Sequence, residues 1–243
     1  MQLLEGTSLA PLRDMPPLFR TGLTLLIATG AACAPPRPLT GPWAAGLPAA
    51  PAGMSPEAWT HAHAAYAQVG REWLRPRRLL TIIDYSLPST DRRLWVLDPG
   101  TNEVLGNEYV AHGWGSGGTW ATDFSNRAGS YQSSLGTFIT GDSYVGVRGL
   151  SLRLRGIEPG INDRAWTRGI VMHGSPNVSA ARATIGRVGR TEGCPAVPQE
   201  SARRLVNLLE GGSVVFAWFP DPTFLARSEY LDRTLVPITL AAP

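Results

Sequence analysis

The runs Leu79-Leu-Thr-Ile-Ile83, Leu94-Trp-Val-Leu97, Val104-Leu105 and Tyr109-Val-Ala111 decide the fold class, because each is short, apolar and bounded by turn residues. Between the second and third, Asp98-Pro-Gly-Thr-Asn102 has the chemistry of a hairpin turn. Toward the C-terminus, Thr137–Ile139, Ser151–Leu154, Gly169–Met172 and Val214–Phe219 read as further strands. A helix over Gln199–Leu209 separates the last two, with Ala202, Leu205, Val206 and Leu209 on one face and Gly211 just past its end. Toward the N-terminus, Ser55-Pro56-Glu57 opens a helix over 55–70, with Ser as cap and Pro at the first helical position. Its buried stripe would be Trp59, Ala62, Tyr66 and Val69. The expectation is a mostly β (α+β) domain, a sandwich or barrel with a few flanking helices.

A chain of 243 residues with 43% hydrophobic content is long enough to bury one core of ordinary size. A net charge of +3 does not call for nucleic acid as a partner. All 22 basic residues are Arg, the side chain that grips carboxylates bidentately. Arg13 and Arg20 precede the apolar run Thr21–Cys33, which has the plan of a signal peptide and is too short for a comfortable membrane span. Met15 is an alternative start to Met1, and Cys33 after Gly30-Ala31-Ala32 resembles a lipoprotein cleavage site, so Cys33 is the expected point of any lipid anchor. Residues 34–54, rich in Pro, Ala and Gly, read as a linker. The expected order is therefore a signal over 1–33, the linker, a folded domain over 55–220 and a tail over 221–243. Export leaves Cys194 as the single thiol of the folded part.

Two stretches carry chemistry: Gly169-Ile-Val-Met-His173-Gly174 and Gly189-Arg-Thr-Glu-Gly-Cys194-Pro-Ala196. The first ends a buried-type strand on an imidazole. The second sets a thiol among glycines ahead of a helix. A cysteine nucleophile needs a neighbouring base, and it needs small residues so that a carbonyl can approach and backbone N–H groups can face an oxyanion. Taken alone, the same residues also suit a small buried Cys and a turn His. Two cysteines are too few, and too far apart in sequence, for zinc, and His61 and His63 sit two apart on a helix, so no metal or other cofactor is expected.

From Leu79 to Phe219 the chain resembles the murein L,D-transpeptidase catalytic-domain family (YkuD-like). The likeness rests on Ile83-Asp-Tyr-Ser86, Phe124-Ser-Asn126 with Gly129–Gly136, Ser151-Leu-Arg-Leu154 and the His173-Gly174 and Gly189–Ala196 pair. It implies a Cys–His acyl-transfer site: Cys194 as nucleophile, His173 as base and then acid, the Gly174 carbonyl as orienter, and the Gly193 and Cys194 amides as oxyanion donors. It also implies a reaction in which a stem peptide of peptidoglycan forms a thioester that an amine of a second stem, or water, resolves. Donor and acceptor stem peptides are then the partners, in the periplasm. Thr191 stands where the family commonly has Ser, and Ala196 where the wider group often has Arg, a role for which Arg190 is the nearest substitute.

Ser133, Ser134, Asn126 and Tyr144 are the remaining substrate-facing candidates, each with an ordinary structural alternative: turn, cap or strand packing. His112, ahead of the loop Trp114–Gly118, is a second candidate base. Papain-like and NlpC/P60-like peptidases run Cys before His, the reverse of this order, and sortases need a different strand around the thiol. An inactive wall-binding module is the competitor from another class. Ten Arg against four acids between Arg148 and Arg204 would favour carboxylate-rich peptides.

Overall fold

A computed structural model describes residues 47–69, 78–186, 188–232 and 234. The apolar run to Cys33, most of the linker and the last residues of the tail lie outside that set. Helix α1 spans Pro56–Gln68, and the Ser55 hydroxyl accepts from the Ala58 N–H at 3.2 Å to cap it. The strands are β1 (Leu80–Asp84), β2 (Leu94–Asp98), β3 (Glu103–Glu108), β4 (Gly136–Gly146), β5 (Gly149–Gly156), β6 (Val171–Ser175), β7 (Ala196–Pro198) and β8 (Val214–Trp218). Helices α2 (Ala180–Thr184), α3 (Gln199–Leu209) and α4 (Pro222–Arg227) complete the set.

All eight strands join one mixed sheet in the order β3-β2-β1-β8-β4-β5-β6-β7. The β1–β8 and β6–β7 pairs are parallel, and the others antiparallel. Strands β1 and β8 are apolar along nearly their whole length because both are buried at every position, as the middle of a covered sheet requires. Helix α3 lays Ala202, Leu205, Val206 and Leu209 against the core and packs on β6. A smaller cluster of Ala111, Val178, Val188 and Ala196 sits apart from the main core.

Several boundaries differ from expectation. Tyr109–Ala111 is not a strand: β3 ends at Glu108, and the Ala111 N–H is instead taken by the Ala196 carbonyl at 2.8 Å. Strand β4 runs 11 residues, far past Ile139, and turns into β5 through Gly149 at φ +76°. His173 lies in the middle of β6 rather than at its end. The linker's last residues pack on the core through Leu47, Ala50 and Met54, and Trp59 donates to the Pro48 carbonyl at 2.8 Å. The expected tail starts with α4, which buries Phe224 and Leu225, and Leu231 follows into the same core.

Candidate active site

The parallel pairing of β6 and β7 sets the site. His173 is opposite Ala196 and Gly174 opposite Val197, so two residues earlier Cys194 lies beside Val171. His173 Nδ1 is 2.9 Å from the Gly174 carbonyl oxygen. A carbonyl only accepts, so Nδ1 carries the hydrogen and the Nε2 lone pair is left to act as acceptor. That Nε2 is buried and, among the described residues, has no hydrogen-bond partner. Burial lowers the His173 pKa, the Gly174 hydrogen bond raises it, and the Arg148 charge lowers it again. At rest the imidazole is therefore neutral near pH 7.

Cys194 is 7% exposed, and its thiol is directed at the Gly169 carbonyl at 3.7 Å, not at His173. Burial pushes the thiol above its ordinary value; the Val171 N–H, Arg148 and Arg168 pull it down, and Glu192 adds to the rise. Arg148 and Glu192 pair at 3.1 Å near the surface.

The loop before Cys194 is held at both ends. The Thr191 N–H donates to the His112 carbonyl at 2.9 Å, and the Trp114 N–H to the Thr191 carbonyl at 2.8 Å. The Ser133 hydroxyl donates to the Gly193 carbonyl at 3.1 Å and accepts from the Gly113 N–H at 3.0 Å. Thr191 Oγ1 donates to the Cys194 carbonyl at 2.7 Å and accepts from the Gly193 N–H at 3.1 Å. Gly193 has φ +121°, and a Cβ there would lie 2.7 Å from the Gln132 carbonyl oxygen, so the position is closed to any side chain.

These contacts revise several expectations. Thr191 and Ser133 are buried and both hydroxyls are committed to the backbone, so they brace the loop instead of facing substrate. The Gly193 N–H, expected as an oxyanion donor, is already paired with the Thr191 hydroxyl. Ser134 donates to the Ser125 carbonyl at 2.8 Å and accepts from Arg168 at 2.6 Å. Asn126 is tied to Asp163 at 2.7 Å and to the Arg164 N–H at 3.1 Å. Arg190 donates to the Gly117 carbonyl at 2.9 Å and lines a cavity with Trp114, Asn177 and Arg182. Tyr144 lies on the sheet with the Arg153 guanidinium 4.2 Å above its ring.

His112 is excluded as a base by its partner. Arg93, fully buried, donates to His112 Nδ1 at 2.7 Å, so that lone pair is occupied, and burial with the Arg93 charge lowers the His112 pKa to about 4. His61 stacks on Trp218, whereas His63 is held to the Trp59 carbonyl at 2.8 Å, so they do not converge.

Arg168 was not singled out by the sequence. Its guanidinium donates to the Ser125 and Gln132 carbonyls and the Ser134 hydroxyl, each at 2.6 Å, and to the Ser130 hydroxyl at 3.2 Å. One side chain thus ties residues 125–134 together beneath Gly193, whose added Cβ would come within 3.3 Å of Arg168 Nη2.

Comparison with known proteins adds a family. Residues 51–218 match the L,D-transpeptidase catalytic domain family. Among solved structures, an L,D-transpeptidase from Mycobacterium smegmatis aligns at 13% identity and TM-score 0.37 over 59% of each chain. The helical cell shape determining protein Pgp2 from Campylobacter jejuni aligns at 10% identity and TM-score 0.41, covering 66% of this chain and 55% of that one. An L,D-transpeptidase from Xylanimonas cellulosilytica aligns at 16% identity and TM-score 0.34, covering 59% and 64%. The chain thus spans less than two thirds of the length of these structures. No curated protein matches it. Because the family match covers more than half of the sequence and includes both His173 and Cys194, the chain belongs to the L,D-transpeptidase catalytic domain family.

Proposed function

We propose that this protein is a peptidoglycan L,D-transpeptidase that joins stem peptides through a thioester on Cys194. The observation that carries the reading is His173: its Nδ1 hydrogen is fixed on the Gly174 carbonyl, and its Nε2 is buried, unpartnered and one strand from the thiol. An orphaned buried acceptor costs free energy in a folded protein, and catalysis gives it a use.

In this mechanism the thiol turns from the Gly169 carbonyl toward Nε2 and transfers its proton there as sulfur attacks the carbonyl of the third, L-centred residue of a donor stem. The Cys194 N–H faces the developing oxyanion. Collapse breaks the peptide bond, and the imidazolium proton goes to the departing D-amino acid. An amine of a second stem then attacks the thioester, and His173 takes a proton from that amine and returns one to sulfur. Water in place of the amine gives trimming. Both substrates lie outside the cytoplasmic membrane, which fits the export signal proposed for residues 1–33.

Intact-mass measurement after incubation with a carbapenem tests the nucleophile. One covalent adduct is expected on the native protein and none on Cys194→Ala; an unmodified native protein would favour a wall-binding module. Mass spectrometry of digested peptidoglycan treated with the protein then separates new cross-links from shortened stems.

A further inference from the structure

The loop that carries Cys194 hangs at both ends on residues 111–114. The Ala111 N–H donates to the Ala196 carbonyl at 2.8 Å, the Thr191 N–H to the His112 carbonyl at 2.9 Å and the Trp114 N–H to the Thr191 carbonyl at 2.8 Å. Thr191 and Ala196 bracket the thiol in sequence, so a shift of residues 111–114 shifts the nucleophile. Gly113 is wedged between two other backbones: a Cβ there would lie 2.2 Å from the Tyr131 carbonyl oxygen and 3.0 Å from Gly193 Cα. Residues 109–112 lie in no strand, so their position has to be set by side chains.

Arg93 supplies that support. It is fully buried just ahead of β2 and donates twice to the Val110 carbonyl, at 3.0 and 3.2 Å. It also donates to the Leu87 carbonyl at 2.8 Å and to His112 Nδ1 at 2.7 Å, while the Tyr85 ring lies 5.0 Å from its guanidinium carbon. None of the ion pairs among the described residues includes it. Burying a guanidinium without a carboxylate is costly, and an apolar side chain would fill the same space without that cost. An apolar side chain could not hold Val110 and His112 from one fixed plane of donors. A guanidinium only donates, so His112 Nδ1 accepts and the imidazole hydrogen sits on Nε2.

We infer that Arg93 and His112 are the positioning pair of the nucleophile: they fix residues 110–114, and through them the place of Cys194 relative to His173. The consequence for catalysis rests on the acyl-transfer reading of Cys194, whereas the clamp itself does not. A misplacement of about 1 Å costs acyl transfer about 100-fold, but alkylation of a thiol by a small reagent has no such geometric demand.

Arg93→Met strips four buried hydrogen bonds and endangers the fold, so the test is made at His112. His112→Leu removes the acceptor. His112→Asn restores one, because its amide oxygen stands as many bonds from Cβ as Nδ1 does. Amide hydrogen exchange followed by NMR reads the clamp, and the rates of carbapenem acylation and iodoacetamide labelling, taken well below Tm, read its consequence. In His112→Leu the Thr191 and Trp114 amides should exchange about 10- to 100-fold faster while those of β1 and β8 stay as they are. Acylation should fall about 10- to 100-fold and alkylation should change less than about three-fold. His112→Asn should recover most of both effects. Unchanged exchange at Thr191 and Trp114, or equal acceleration in β1 and β8, overturns the clamp, and acylation that falls no further than alkylation overturns its positioning role. A native protein that is never acylated, with exchange altered as expected, would sink the acyl-transfer reading and leave the clamp standing.

Discussion

Arg168→Met removes the side chain that holds residues 125–134 together beside the Cys194 loop, and its cost can be worked from the contacts. Four hydrogen bonds disappear, three of them at 2.6 Å; the Ser125 carbonyl keeps the Ser134 hydroxyl and the Ser130 hydroxyl keeps the Gln132 N–H, while the Gln132 carbonyl and the Ser134 hydroxyl lose the guanidinium as donor. A hydrogen bond to a charged donor contributes about 1.5 kcal/mol or more when buried, but this guanidinium is only half-buried and water replaces part of the loss. The sum is about 3 kcal/mol, which for a domain of this size lowers Tm by about 6–12 °C. Arg168 also draws the Cys194 thiol down, so the variant's thiol should titrate higher than the native one. Thermal unfolding followed by circular dichroism reads the first effect, and the pH dependence of iodoacetamide labelling reads the second. Arg168→Lys should keep most of the charge effect on the thiol and little of the stability, because one ammonium cannot reach four acceptors in a plane. A fall in Tm below about 2 °C for Arg168→Met, with an unchanged labelling profile, would refute the view that this side chain organises the site.

Two further outcomes follow from charges near and far from the thiol. Glu192 raises the Cys194 pKa and also neutralises Arg148, so Glu192→Gln should speed thiol labelling at pH 7 about two- to three-fold at low salt, with the gain fading at high salt; a slower reaction would reverse the assigned sign. Glu158 is 2% exposed, accepts from the Thr137 N–H at 2.6 Å and the Ser228 hydroxyl at 2.5 Å, and has its pKa raised chiefly by burial. A carboxyl whose folded pKa lies above its unfolded value contributes stability that is present below about 4.5 and is lost as pH rises through the folded value. Urea titrations should therefore show a fall in stability over that window in the native protein and a flatter profile in Glu158→Gln; parallel profiles would remove Glu158 as the cause.

Much of this architecture was legible in the sequence because burial leaves a pattern. Strands β1, β2 and β8 and helix α3 bury apolar side chains at the period of their own backbone, and they lie where the pattern puts them. Strand β7 was not legible: three residues after a Pro have no period, and their place follows from pairing with β6. Tyr109–Ala111 misled for the opposite reason, since an apolar tripeptide is as well suited to lining a loop as to forming a ladder. In the site, His173 and Cys194 are singled out by the glycines around them and by family likeness. Arg93 and Arg168 are not, because nothing local separates two Arg from the other twenty. Their different states, buried against carbonyls or committed to carbonyls and hydroxyls, are set by residues 6 to 43 positions away in sequence.

Burial has one further consequence for the chemistry. It raises the thiol and lowers the imidazole, so both effects oppose a thiolate–imidazolium pair in the resting protein. The thiol's contact with the Gly169 carbonyl and the empty Nε2 agree with that neutral state. A neutral thiol is a poor nucleophile toward stray electrophiles. In the mechanism proposed above, proton transfer becomes favourable only when a carbonyl carbon is in place to take the electron pair from sulfur and the Cys194 N–H can meet the negative oxygen that results. The cations that ease this step, Arg148 and Arg168, are already fixed by protein partners, so they need no rearrangement as the charge develops.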